Sequence, residues 1–206
     1  PQGLLHSERM RALMRNIDEI MASDETLKSN APLNESHPEY HVIVACNEMG
    51  LDVDTETEAL VRDIRVRYAK RFPELESLVV SPLDYARVVL KIGNEMDLTA
   101  VDLTGIVPAA TVMVVTVTAS TTSGVPLSEA EVATVLGQCQ EVLDLADAKA
   151  RMTKYVETRM HAVAPNLTTI VGADVAARLI GAAGGLTQLA GLPAGVVQAL
   201  GIKRKT

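Results

Sequence analysis

The chain has 206 residues, 48% of them hydrophobic and 2% aromatic, with four Tyr, one Phe and no Trp. It is long enough to bury a core and too apolar for a disordered chain, and that core has to be aliphatic. A net charge of −7 argues against simple nucleic-acid binding, and the lack of aromatics argues against a base-stacking module.

The chain opens PQGLLHSERM, with no initiator Met and no signal-peptide pattern, and reads as part of a longer one. Met10, Leu13, Met14, Ile17 and Met21, with Leu5 before them, fall near one stripe at three-to-four-residue spacing, which predicts an amphipathic helix. Residues 22–38 read as a polar loop. EYHVIVACNEM is a short apolar helix or strand. DTETEALVRDIRVRYAKRF predicts a helix with Leu60, Val61, Ile64 and Tyr68 facing inward, interrupted at Pro73. Its cations Arg62, Arg65, Arg67, Lys70 and Arg71 read as a solvated face supported by Glu58 and Asp63, with RNA or acidic protein as the alternative.

Ser81-Pro82 places an N-cap before a first-turn proline, and the helix so started runs to Gly93. AATVMVVTVTASTTSG has the β-branched composition of a strand. No second convincing strand exists to pair with it, so a buried helix is preferred. Ser128 and Glu131 form a capping box, S-x-x-E, opening a helix to about Ala146. Asp147 is read as the cap of a further helix ending near Pro165, followed by short helices at about 166–171, 173–182 and 193–200. The expected fold class is all-α. No apolar run is long enough for a membrane span.

The acidic surplus is uneven. Residues 1–139 hold 11 Lys+Arg against 21 Asp+Glu, whereas residues 140–206 hold 8 against 5. The basic end closes on Lys203, Arg204 and Lys205, which suits an anionic partner there. Cys46 and Cys139 lie far apart and read as buried thiols. The four histidines show no metal-ligand spacing, with Pro38 between His37 and His41. No Ser-His-Asp, Cys-His or paired-carboxylate constellation suggests catalysis.

LIGAAGGLTQLAGLPAG, residues 179–195, carries five glycines. It matches neither the Walker pattern nor G-x-G-x-x-G. Packing and termination of short helices is the reading left, with one of Gly184 and Gly185 in the left-handed conformation.

APNLTTIVGADVAARLIGAAGGLTQLAGLPAGVVQALG, residues 164–201, resembles the Nop domain of a family of RNA scaffolds. Within that family YAKRFPELESLV, VMVVTVTASTTSG and the terminal KRKT are similar to the spliceosomal branch. The box C/D nucleolar branch tends to carry Trp-His before Phe-Pro-Glu-Leu. Ile202 departs from the family's usual Ala.

The resemblance implies a long antiparallel coiled coil with a helical tip, plus a helical Nop domain that is C-terminally incomplete here. The implied boundaries are 1–50 and 105–126 for the N-terminal helix and coiled coil, 51–104 for the tip, and 127–206 for the Nop domain. Residues 39–50 are expected to pair with about 105–126. The implied role is non-enzymatic and nuclear, with no cofactor. The implied partners are the U4 snRNA 5′ stem-loop, its small kink-turn-binding protein and other tri-snRNP proteins. RNA-binding candidates are Lys203, Arg204, Lys205, Gln198, Arg178 and Asn166. For Asn166 a helix cap is an equal reading, and for Gln198 and Arg178 a solvated position is. Ala182, Ala183 and Leu186 are candidates for a protein-partner surface, with core packing as the competing explanation. A box C/D scaffold and a protein-only coiled-coil adaptor are the alternative functions.

Overall fold

The computed structural model describes residues 3–23, 33 and 36–200. Among them every long element is an α-helix, and no strand forms; one isolated backbone bridge joins Thr104 and Val107. The chain is all-α. No helix among the described residues is long and apolar enough to cross a membrane.

Helix α1 (Glu8–Ala22) starts where Ser7 accepts a hydrogen bond from the Met10 amide at 3.2 Å. Helix α2 (Pro38–Tyr68) is continuous, so EYHVIVACNEM is its first part rather than a strand. Gly50 stands inside it. A helix-interior glycine costs about 1 kcal/mol relative to Ala, which the buried row Ile43, Cys46, Met49 and Val53 outweighs.

Helices α3 (Leu75–Leu78) and α4 (Pro82–Ile92) follow. The Ser81 cap is formed as expected, its hydroxyl accepting from the Asp84 amide at 3.4 Å. Helix α4 ends at Gly93 with φ 52°, a conformation that favours glycine.

Helix α5 (Ala109–Ala119) is the β-branched segment, helical as expected. Helix α6 (Glu129–Val163) opens on the expected capping box. Ser128 Oγ accepts from the Glu131 amide at 3.4 Å, and Glu131 Oε2 accepts from the Ser128 amide at 3.1 Å. The expected break at Asp147 does not occur. Val135, Cys139, Val142, Leu145, Ala148 and Met152 keep one buried row running through it, and that row prevails over the capping preference of Asp. Four short helices finish the chain: α7 (Pro165–Val171), α8 (Ala173–Ala183), α9 (Leu186–Gly191) and α10 (Ala194–Ala199). The sequence reading has no counterpart of α9.

The chain divides into two compact units, residues 1–52 with 148–206 and residues 53–147. The core of the first gathers Met10, Leu13 and Ile17 of α1, Ile43 and Met49 of α2, Met152 and Met160 of α6, and Ile180 of α8. In this unit the buried carboxylate of Glu39 meets Tyr155 and Arg159. The second unit has its own aliphatic core, with Ile64, Leu75, Val88, Val89, Val115 and Val142 buried.

The basic run at the end of α2 and just beyond it is a solvated face in part: Arg62, Arg67 and Lys70 are exposed as expected, whereas Arg65 is half-buried and Arg71 buried. Arg71 is fully buried and donates to the Glu95 carbonyl. Arg65 reaches the Val80 carbonyl at 3.0 Å and lies over the Tyr85 ring, 5.3 Å from its centroid. Arg67 pairs with Asp63 at 2.7 Å and Lys70 with Glu131 at 2.7 Å. Where each long side chain ends thus depends on the neighbours that the fold brings to it.

Candidate nucleic-acid interface

The candidate residues among the described ones sit on helices α7 to α10. Their anchorage begins at a buried ion pair. Arg159 on α6 donates from Nε to Glu39 Oε1 at 2.5 Å and from Nη2 to Oε2 at 3.1 Å, and Tyr155 Oη donates to the same carboxylate at 3.2 Å. Burial, reinforced by the neighbouring Glu39 carboxylate, pushes the Tyr155 hydroxyl far above the usual phenol range, so it acts as a donor throughout. Every oxygen of Glu39 thus meets a donor, which the low dielectric demands.

The next residue carries this order to the glycine run. Tyr40 Oη accepts from the Leu186 amide at 3.3 Å, at the first residue of α9. That amide is one of the orphan donors of a helix start. Helix α7 is tied to the end of α6 by Thr168 Oγ1, which donates to the Met160 carbonyl at 3.1 Å. Helix α8 packs on both α7 and α9. It buries Ala176, Ala177 and Ile180, while a Cβ added at Gly181 would stand 3.4 Å from Asn47 on α2. Gly181 therefore lies against the Asn47 side chain, at a distance where an added methyl would make ordinary contact. Gly184 closes α8 in the left-handed conformation at φ 85°, and Gly185 follows at φ 144°. Gly191 and Gly195 face open space. With no strand before it among the described residues, the run has no phosphate-loop context.

Arg178 is exposed on α8, its Nε 2.8 Å from Asp174 Oδ1 one turn earlier. Gln198 is exposed on α10. Asn166 is exposed at the second position of α7, and it is not the cap: Ala164 holds that place and makes no side-chain capping bond. Ala182 is exposed, and Ala183 and Leu186 are half-buried, so none of the three belongs to the core. Lys203, Arg204 and Lys205 lie outside the described residues. Helices α9 and α10 bury none of their residues even though their sequence is largely apolar. The result is a set of short helices with Asn166, Arg178, Ala182 and Gln198 exposed, of which α7 is tied to α6, and α8 and α9 meet α2.

The sequence reading missed the holding residues Glu39, Tyr40, Asn47, Tyr155, Arg159 and Thr168. Glu39 and Arg159 are 120 positions apart, and no local signal joins them. Among the described residues no three His, Cys, Asp or Glu side chains come together as a metal site. Both cysteines are buried and free, and burial pushes each thiol up to about 12.

Two long helices and a set of short, glycine-separated ones define an all-α class of protein. Residues 49–206 match the family described as "Nop: snoRNA binding domain, fibrillarin", and the chain belongs to that family. The chain is 45% identical, over 98% of its length, to the U4/U6 small nuclear ribonucleoprotein Prp31 homolog of Arabidopsis thaliana, covering 42% of that protein. It is 42% identical, again over 98% of its length, to the U4/U6 small nuclear ribonucleoprotein Prp31 of Homo sapiens, covering 41% of it. Nucleolar protein 58 of Candida albicans is 33% identical over 74% of this chain, which covers 30% of that protein. The chain thus spans about two fifths of the length of the first two relatives.

Proposed function

We propose that the chain is the scaffold part of a nuclear pre-mRNA splicing factor. It binds the composite surface made by the U4 snRNA 5′ stem-loop and its small kink-turn-binding protein, and so supports assembly of the U4/U6·U5 tri-snRNP. The observation that carries this reading is the 45% identity over 98% of the chain to a protein named as a U4/U6 small nuclear ribonucleoprotein. The role is non-enzymatic and uses no cofactor.

The division of labour follows the expected boundaries. Residues 127–206 carry the ribonucleoprotein face, 51–104 the tip, and 1–50 with 105–126 the supporting helices. Lys203, Arg204 and Lys205, with Arg178, Gln198 and Asn166, make the RNA contacts, while Ala182, Ala183 and Leu186 meet the small protein. The exposure of Asn166, Ala182, Arg178 and Gln198 supports that assignment. Phosphate contacts from Lys, Arg, polar side chains and backbone amides would fix the register without reading sequence.

The match to nucleolar protein 58 favours a second reading, a box C/D snoRNP scaffold. A gel shift separates the two. The full-length protein that carries this chain is mixed with U4 5′ stem-loop or with a box C/D RNA, each with and without the small kink-turn protein. A shift with U4 that requires the small protein is the expected result. A shift confined to the box C/D lanes would transfer the chain to the nucleolar branch. No RNA-dependent shift in any lane would leave a protein-only adaptor and overturn the proposal.

A further inference from the structure

The second unit carries an apolar face that its own fold leaves bare. On α5, Ala110, Met113, Val114 and Val117 occupy positions i, i+3, i+4 and i+7, one side of a helix. Met113 is 71% exposed, Val114 48% and Val117 63%. The opposite side of α5 already supplies the packing, through fully buried Val115 and buried Ala119. Valine is a poor helix former, and at a solvated helix position it gains no packing in return. Folding of this chain therefore does not account for the stripe, whereas burial against a partner does. Methionine, flexible and polarisable, suits such a surface.

Charge decides what fits. Residues 92–147 contain eight acidic residues and no Lys, Arg or His. Helix α5 has no charged residue, and it packs against α3 and the 3-10 turn Leu98–Ala100. Acids flank both neighbours: Glu74 at α3, which accepts from the Thr122 hydroxyl at 2.7 Å, and Asp97 and Asp102 around the turn, while Glu76 is paired with Arg65 at 3.6 Å. Asp97 and Asp102 accept hydrogen bonds from Thr99 and Thr104, which hold their carboxyls below the usual range. An apolar stripe with an acidic rim repels nucleic acid and anionic membranes.

We propose that this face of α5 seats a basic amphipathic helix of a partner protein, its apolar side on Met113, Val114 and Val117 and its Lys or Arg flanks toward the acidic rim. This site is separate from the proposed RNA face, so either proposal can fail alone.

The test uses the 206-residue chain and two fluorescent peptides of about 18 residues with the same Leu stripe at helical spacing, one with Lys and one with Glu on the polar side. Fluorescence anisotropy is expected to show binding of the Lys peptide, weakening with salt, and at least about tenfold weaker binding of the Glu peptide. Met113→Ser with Val117→Ser is expected to cut Lys-peptide affinity by at least about tenfold while leaving the helical circular dichroism unchanged. Should that pair lose helix, Met113→Lys decides alone, since Lys favours helix and adds a repelling charge at an exposed position. Equal binding of both peptides, binding undiminished by the substitutions, or no binding would overturn the proposal. So would a concentration-dependent dimer in sedimentation that the double variant abolishes, because the occupant would then be a second copy.

Discussion

Glu39 and Arg159 stand 120 residues apart in sequence and share two hydrogen bonds in the buried interior of one unit. A buried pair of this kind gives little net stability over an apolar pair, but a broken one leaves an uncompensated charge. Arg159→Met is therefore expected to cost about 3–5 kcal/mol in urea unfolding, and the double variant Glu39→Leu with Arg159→Met clearly less. Additive losses would show that the two side chains do not act as a pair.

The glycines are expected to separate by conformation and space. Gly124 lies where an added Cβ would stand 1.9 Å from the Arg71 carbonyl oxygen, backbone against backbone, so Gly124→Ala should destabilise by about 1–3 kcal/mol. Gly184 at φ 85° should lose about 1–2 kcal/mol as Ala. Gly195, in α10 with nothing near its Cβ position, should be neutral or gain up to about 1 kcal/mol as Ala. Thermal midpoints of the three variants check the order. A destabilising Gly195→Ala would mean that its helix is not formed as described.

The capping box at the start of α6 titrates. Lys70 and the Ser128 hydroxyl and amide donate to Glu131 and hold its carboxyl down at about 2 against a usual 4.5. The folded chain thus binds this proton less readily than the unfolded one. The stabilising contribution is present above the usual carboxylate range and disappears as pH falls from about 4.5 toward 2. Glu131→Gln is expected to be less stable than the parent at pH 6 and to converge with it by pH 2, measured as urea midpoints across that range. A constant gap across the window would remove the carboxylate from the explanation.

The elements of the fold differ in how far the sequence revealed them. The capping box and the Ser81-Pro82 start were legible because cap and amide lie three residues apart. The β-branched α5 was legible only from what was missing, a strand to pair with. Continuity of α6 through Asp147 was not, because local capping chemistry competes there with a long buried row whose partners are remote in sequence. The fate of the cations between Arg62 and Arg71 was hidden for the same reason: Arg71 and Arg67 look alike as text, yet one is fully buried and the other sits beside Asp63 at the surface. At the candidate interface the glycine run announced short helices, but Tyr40 and Arg159, which hold them, came from far along the chain.

The proposed RNA face gives the last prediction. The Arg178–Asp174 pair is well exposed, so breaking it costs little, a few tenths of a kcal/mol for an i,i+4 pair. Arg178 can therefore leave Asp174 for a phosphate at small cost. Arg178→Ala is expected to leave chain stability within about 0.5 kcal/mol. In the U4 gel shift with the small kink-turn protein, it should weaken the complex and lower the salt slope by about one counterion. Lys203→Glu with Lys205→Glu should weaken the same complex further and flatten its salt dependence more strongly, because two phosphate contacts become repulsions. Measuring affinity over a salt series separates charge contacts from general damage, since a misfolded protein loses binding without this change of slope. An unaltered affinity and slope in both variants would show these cations to be solvent-facing only, and would move the RNA contacts to the polar side chains and helix amides of α7 to α10.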